Sequence, residues 1–572
     1  MRPGRIRVAT SSPLSQRHRE RLLAVGRRSQ QVLLLAGLTG ALTGLVVAAF
    51  DLVTSEVLLH RLLELPLGWQ LAAPAGGLLL ASACLRLGGR DLSPSTSDEY
   101  IRTFHGTTGR MALAALPYRI AASVATLGSG SPLGYEGPAL YAGAVIGSAV
   151  QSRTRRFFKP DDVKVLLVAG AAAGVAAIFK APVTGLVFAL EVPYQEDLAR
   201  RMLLPAAIGS AASYVTFAAI IGTEPILPVA GQPPFNLVDL GGAALVGLAA
   251  GLLARVFIGI VRRAKALSSR GNPIVRVLVA GAVLAATVLA ADRLGDTSLG
   301  LGPGYRALEW ALDPQHSLLT IVALGTLRVI GASAVLGGGG VGGLFIPLVI
   351  QGALVGRAVD GLFDADSSTL FPVVGMAAFL GAGYRVPLAA VVFVAEVTGR
   401  PGFVVPGLIA AVVAQLVMGQ ESISPYQVAG RIGHLERRLR LPLTAVINTE
   451  ARTTPPDATV EEVFWQHLVG NRQQSVAVVE SDRFLGMARA EDVGAVDRDR
   501  WSTTFIRDVM RSDVPVANLG WLVGDAIRAM EDAGRDRIAV CDGTTYLGVI
   551  SAGDLIELDE VLDRTSPADG SR

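Results

Sequence analysis

Residues 128–138 read GSGSPLGYEGP, with one ionisable side chain, Glu136, among glycines and prolines and apolar sequence on both sides. A second stretch has the same frame. LRVIGASAVLGGGGVGGLFIP (327–347) matches YRIAASVATLGSGSPLGYEGP (118–138) at an offset of 209, pairing Arg119 with Arg328, Gly134 with Gly343 and Pro138 with Pro347. Such breakers stop one helix and start another. A helix start leaves its first N–H groups unpaired and presents the positive end of the helix dipole. Proline in the first turn gives up an N–H that had no partner, and glycine lets a small ligand approach the others. GYEGP and GLFIP are therefore two helix starts, one per repeat, able to converge on one anion. Backbone dipoles suit chloride, attracting it without the deep trap of a buried arginine. A carboxylate among such amides, Glu136, is a tethered substitute for a halide; the plainer reading is a structural glutamate bonded to a neighbour.

The elements that must hold these starts lie in a membrane. The chain of 572 residues is 51% hydrophobic and 17% charged, with a mean hydropathy of +0.47, against about 25% charge in soluble proteins. Apolar stretches at 31–59, 67–86, 203–222, 238–260, 274–291, 317–336 and 402–418 approach or exceed the ~20 residues that cross a hydrocarbon core. Irregular backbone at that depth is tolerated only where it lines a cavity or is buried in protein. The first stretch is too long for a cleaved signal peptide. Eight arginines precede it against one acid, Glu20, which predicts a cytoplasmic N-terminus. Cys84 and Cys541 lie in different regions, so neither a disulfide nor a cysteine metal site is expected. The net charge of +3 is explained by basic loops and gives no reason to expect a nucleic-acid partner. The six histidines show no metal spacing, and GGGGVGG (337–343) lacks a following Gly-Lys-Ser/Thr, so neither a nucleotide loop nor enzymatic chemistry is indicated.

The repeat continues downstream, where APVTGLVFALEV (181–192) matches VPLAAVVFVAEV (386–397) at an offset of 205. Two halves with Gly-interrupted apolar segments at matching places are the sign of an inverted-repeat transporter. Glu191 and Glu396 end matched apolar runs and are expected to close structural contacts; Glu196 reads as a solvated loop residue. After about Gly430 the sequence becomes soluble in texture and is duplicated again: QSVAVVESDRFLGMARAEDV (474–493) superimposes on DRIAVCDGTTYLGVISAGDL (536–555) at an offset of 62. Each copy follows a helical pattern and reads helix–strand–strand–helix.

Together these features resemble the CLC family of chloride channels and chloride/proton antiporters, with GxEGP at Gly134–Pro138, GxFxP at Gly343–Pro347, and a C-terminal tandem pair resembling CBS domains. The resemblance spans nearly the whole chain. It implies an all-α polytopic membrane domain of inverted repeats and broken helices, followed by a soluble α/β CBS pair. The expected boundaries are an N-terminal segment 1–30, a transport domain 31–432 with halves about 31–225 and 236–420, a linker 433–445, CBS repeats 446–498 and 503–563, and a tail 564–572. It further implies a homodimer in the lipid bilayer that carries chloride and other small anions, with protons as a second partner in the antiporters, in the plasma (inner) membrane with the N-terminus and the CBS pair cytoplasmic.

By the same resemblance Glu136 is the gating glutamate, which competes with chloride and is displaced when protonated. Amides around Tyr135, Glu136 and Gly137, with those of Leu344, Phe345 and Ile346, would form the anion sites, Phe345 adding apolar wall. The family's GSGIP corresponds to LSPSTSDEYI (92–101), where Ser95, or alternatively Ser97, supplies the hydroxyl; the glycines are gone, and a helix N-cap role competes. The inner tyrosine falls at SISPYQ (422–427), as Tyr426, or Ser424 takes its place. The proton-passing glutamate of the antiporters is Val192 here, which argues for channel-like conduction; the alternative is proton-coupled chloride exchange. In the second CBS repeat Ser551 and Asp554 match a ribose-contacting pattern, so an adenine nucleotide is a possible ligand; in the first, Arg489 replaces the hydroxyl beside Asp492. No cofactor is required. Competing classes are a nucleotide-sensing membrane protein with vestigial transport, which leaves GYEGP without a purpose, and a CBS-bearing cation transporter, which would need acidic side chains within the membrane.

Overall fold

The computed structural model describes residues 13–554 apart from 90–91, 107, 159–161, 228–235, 363–368, 431–438, 440, 471–473 and 552, with backbone alone over 13–29. The arginines before Pro13, most of the linker and the tail lie outside the described residues. The chain divides into two compact units, Met1–Gly430 and Arg431–Arg572.

In the first unit, seven of the described helices are long and apolar enough to cross a membrane: Gln30–Glu64, Leu67–Leu87, Arg200–Ile221, Leu237–Leu267, Pro273–Asp292, Leu318–Gly338 and Pro401–Met418. These coincide with the seven apolar stretches of the sequence. Their outer faces expose Leu34, Leu80, Val215, Leu278 and Leu416, side chains suited to lipid. Inside this shell lie shorter, broken helices in two matched sets: Glu136–Arg153, Val165–Ile178 and Pro182–Glu191 in one half, Phe345–Asp360, Leu370–Tyr384 and Pro387–Thr398 in the other. Val165–Ile178 and Leu370–Tyr384 are apolar on every side, and every residue of both is buried, as an all-round apolar helix must be.

Small residues bring these inner helices close. Gly143 faces Gly170, and at the matching place Gly352 faces Gly375; a Cβ on any of the four would run into its partner's carbonyl oxygen. Close backbone approach of this kind holds helices together where burial of apolar surface gives no drive. The two acids at matched positions lock the halves reciprocally. Glu396 accepts from the Val183 and Thr184 N–H groups at 2.9 and 2.6 Å and from the Thr184 hydroxyl at 2.6 Å. Glu191 accepts from the Leu388 and Ala389 N–H groups at 3.2 and 2.9 Å. Each carboxylate thus caps the helix start of the opposite half, where the dipole favours negative charge.

The second unit is a six-stranded sheet of β1 (Thr453–Thr454), β2 (Ser475–Glu480), β3 (Arg483–Arg489), β4 (Val516–Ala517), β5 (Arg537–Asp542) and β6 (Thr545–Ser551), in the order β1-β2-β3-β6-β5-β4. Each repeat supplies three adjacent strands with the same pairing, one parallel and one antiparallel. The register slips at matching places, Val478/Val479 and Val540/Cys541. Separate apolar clusters form around Val460, Val476 and Ile506 and around Val523, Ile538 and Ile550. Each half of the sheet therefore has its own core, the first including Ile506 and the second Val446.

Candidate anion-binding site

Helices Leu116–Gly128 and Leu318–Gly338 end just before the two breaker stretches. At matched positions Gly130 (φ 87°) and Gly339 (φ 86°) turn the chain through the left-handed region that favours glycine. Gly134 and Gly343 then pair as an isolated antiparallel bridge, with N–H···O distances of 2.9 and 2.7 Å. Immediately beyond, helices Glu136–Arg153 and Phe345–Asp360 start. The first bonds that close them run from the Ala139 N–H to the Tyr135 carbonyl and from the Leu348 N–H to the Leu344 carbonyl. Amides ahead of these points are left for other acceptors.

One such acceptor is in place. The Phe345 N–H donates to Glu136 Oε1 at 2.6 Å, so the carboxylate of one half sits on the helix start of the other. Glu136 is 2% exposed. Among the described residues its Oε2 is buried and finds no hydrogen-bond partner. The glycines explain how it fits, since a Cβ on Gly134 would strike Oε2 and a Cβ on Gly343 would strike Oε1.

The surrounding residues fall in two groups. Tyr135, Gly137, Leu344, Phe345 and Ile346 all lie buried at the paired helix starts. Phe345 joins an aromatic cluster with Phe179, Phe393 and Phe188, at ring-centroid distances of 4.5, 4.8 and 5.4 Å. Ser95 stands at the N-cap position of helix Thr96–His105 without a side-chain capping bond. Its hydroxyl donates to Asp98 Oδ2 at 2.6 Å instead. Tyr426 is 45% exposed, and of the two residues considered there the buried one is Ser424. Val192 is buried, and its carbonyl accepts from Gln427 Nε2 at 2.8 Å. Glu196 has an exposed carboxylate, 3.4 Å from Arg385.

Two residues escaped the sequence reading. Thr96 is 1% exposed, and among the described residues its Oγ1 has no hydrogen-bond partner; a Cβ on Gly137 would lie 2.6 Å from that oxygen. Tyr384 is buried at the end of its helix, its ring 5.6 Å from Phe188, and its phenol oxygen faces Ser97 and the Leu344 backbone. A signal for Tyr384 was present: at the offset of 205 its partner is Phe179, so the second half carries a hydroxyl where the first has none. Ser95, Ser97, Leu344, Tyr384 and Tyr426 line a cavity of about 450 Å³ that approaches the helix starts.

In the second unit, the Ser551 hydroxyl and N–H both donate to Asp554 Oδ2, at 2.6 and 2.7 Å. In the first repeat Asp492 instead receives Arg489 and Arg511, at 3.2 and 2.9 Å. The two repeats thus present different chemistry at equivalent places.

Opposed broken helices whose N-termini meet at a buried carboxylate define an anion-transport fold. A sequence profile described as voltage gated chloride channel matches residues 76–419, and the chain belongs to that family, the CLC proteins. It is a multi-pass membrane protein of anion transport and not an enzyme. A CBS domain profile matches residues 506–560, the second repeat of the soluble unit. The chain is 28% identical over 419 residues to the H(+)/Cl(-) exchange transporter ClcA of Vibrio campbellii, covering 68% of this chain and 88% of that one. Among solved structures it is similar in fold to a CLC-type fluoride/proton antiporter, with a TM-score of 0.61 and 22% identity, covering 70% of this chain and 98% of that chain. It is also similar to a eukaryotic CLC transporter, with a TM-score of 0.57 and 18% identity over 92% of this chain and 98% of that chain.

Proposed function

We propose that this protein exchanges chloride, and similar small anions, for protons, with Glu136 as the group that meets both. The observation that carries this reading is the 2.6 Å bond from the Phe345 N–H to Glu136 Oε1. A carboxylate held by an amide that an anion would otherwise use competes with that anion, and a proton on the carboxylate removes the competing charge. Anion arrival and protonation of Glu136 thereby favour each other, which is the linkage that exchange requires. The relative named as an exchange transporter supports coupling over passive conduction. The proposed anion ligands are the amides of Tyr135, Glu136, Gly137, Leu344, Phe345 and Ile346. Ser95 and Thr96 would add hydroxyls at the inner end, with Tyr384 rather than the exposed Tyr426 as the inner tyrosine.

One observation favours a channel as the second reading: Val192, at the position of the proton-passing glutamate, cannot carry a proton. Under exchange the proton must then reach Glu136 by water or by another group. We further propose a homodimer with one pathway per subunit, in a plasma (inner) membrane with the N-terminus and soluble unit cytoplasmic, and repeats bounded near 446–498 and 503–563. An adenine nucleotide at Ser551 and Asp554 is part of this proposal and rests on the CBS resemblance.

Full-length protein in liposomes, with chloride flux and internal pH followed together, tests the function. Exchange predicts proton movement driven by a chloride gradient, abolished in Glu136→Gln while chloride flux persists. Chloride flux with no proton movement in the unaltered protein selects the channel, and no flux of chloride or fluoride under any gradient overturns the transport reading.

A further inference from the structure

We infer that Asp98 is a second tethered carboxylate, occupying an inner anion site formed by Ser95 and Lys265 where the cavity meets the pathway. This rests on the anion-transport reading and adds a site to it. The central observation is that two donors from distant segments converge on a single oxygen. Asp98 Oδ2 accepts from Ser95 Oγ at 2.6 Å and from Lys265 Nζ at 2.8 Å, and the Ser424 hydroxyl also faces this carboxylate. A hydroxyl and an ammonium aimed at one negative oxygen are the donors a halide would take. Asp98 and Lys265 both line the cavity of about 450 Å³, with side chains 12% and 23% exposed, so an anion can reach them.

The other charges around the cavity are engaged differently. Arg262 binds Glu421 and the Ser422 carbonyl, and Arg102 binds Glu99 at 2.7 Å. Of these three cations, Lys265 alone is paired with an acid that also holds a hydroxyl of the pathway. The next residue continues the route: Thr96, buried and with its Oγ1 unpartnered among the described residues, lies against Gly137 at the gate. An anion passing inward or outward would move between Ser95 and Lys265, then Thr96, then the amides beside Glu136. Asp98 stands on the first turn of helix Thr96–His105, as Glu136 stands on the first turn of its own helix. Each carboxylate therefore holds a place at a helix start that an anion must claim.

A self-occupied site has an apparent affinity reduced by the fraction of time it is open. Titration calorimetry of the purified full-length protein with chloride tests this, alongside flux in liposomes. Asp98→Asn is expected to bind chloride about tenfold more tightly than the unaltered protein, and adding Lys265→Met is expected to abolish the gain. Asp98→Ser, which removes the acid by a smaller side chain, should show the same gain and covers the case in which the asparagine variant fails to fold. A merely structural ion pair predicts no tighter binding in either folded variant, and that result, or a gain that survives loss of Lys265, overturns the inner site. Flux without the gain sinks the inner site and leaves the transport reading standing. A lysine-dependent gain in a protein that transports nothing supports the site and sinks the transport reading.

Discussion

The two halves of the membrane unit share a frame and differ where the chemistry lies. Glu136 in one half faces Phe345 in the other, and Phe179 in the first is matched by Tyr384 in the second. One half thus supplies the carboxylate; the other supplies the amide that holds it, the Phe345 ring and the buried phenol of Tyr384. The buried arginines diverge as well. Arg328 donates to the Gly302 and Pro303 carbonyls at 3.1 and 2.7 Å, whereas Arg119 lies 3.6 Å from Glu99 and stacks over Tyr141 at 4.8 Å. What stays symmetric is mechanical: the glycine contacts of the inner helices, the turns at Gly130 and Gly339, and the reciprocal caps of Glu191 and Glu396. A duplicated scaffold kept its joints and specialised its contents.

The largest difference between the halves is expected at the matched positions Glu136 and Phe345. Phe345→Ala empties a fully buried ring site and is expected to lower stability by about 3–5 kcal/mol. Glu136→Ala removes a buried carboxylate with an unsatisfied oxygen and should cost far less, both read by thermal unfolding in detergent. Equal losses would mean that the two positions are equally structural. Next come the caps, where the comparison predicts likeness. Glu191→Gln and Glu396→Gln should each destabilise by about 1.5–3 kcal/mol, the range for hydrogen bonds to a charged group. A loss confined to one of them would show that the reciprocal joint is not shared evenly.

The bridge glycines should divide more finely. A Cβ at Gly343 would meet the Gly137 backbone nitrogen at 2.7 Å as well as Glu136, whereas at Gly134 the nearest atoms all belong to the movable Glu136 side chain. Gly343→Ala is therefore expected to cost about 1–3 kcal/mol as overpacking. Gly134→Ala should be milder in stability while still pushing the carboxylate off its seat, measured as chloride flux that no longer depends on pH. The smallest effect is expected at Lys180 and Arg385, both in left-handed backbone at matched places with φ of 49° and 55°. Lys180→Gly should fall within about 1 kcal/mol of neutral, relief of strain offsetting chain entropy. Arg385→Gly also loses contacts to Gly419 and Glu196 and should be the worse of the pair by thermal unfolding.

Much of this arrangement was legible because breakers punctuate apolar sequence. Glycine and proline at constant offsets marked the helix starts, and Glu136 stood out as the one acid among them. Glu191 and Glu396 were legible as matched acids, although which helix start each would cap was not. The inner end was harder to read because its parts come from segments far apart in the chain. Ser95 looked available as a hydroxyl, yet Asp98, three residues on, and Lys265, from a distant helix, decide what it binds. The tyrosine of SISPYQ, Tyr426, is 45% exposed. The buried tyrosine ends an inner helix, and only comparison with Phe179 across the repeat would have revealed it. Spacing reports which residues share a frame; burial and the convergence of donors are properties of the folded chain.

On the reading proposed above, the Glu136 carboxylate sits where an anion belongs. Halide position can be read directly from crystals of the protein grown in bromide, using the anomalous signal of the ion. In Glu136→Gln, whose side chain has lost the competing charge, bromide is expected within hydrogen-bonding distance of the Phe345 N–H, with no bromide there in the unaltered protein at a pH that keeps the carboxylate charged. Bromide at that amide in both proteins, or in neither, would contradict it.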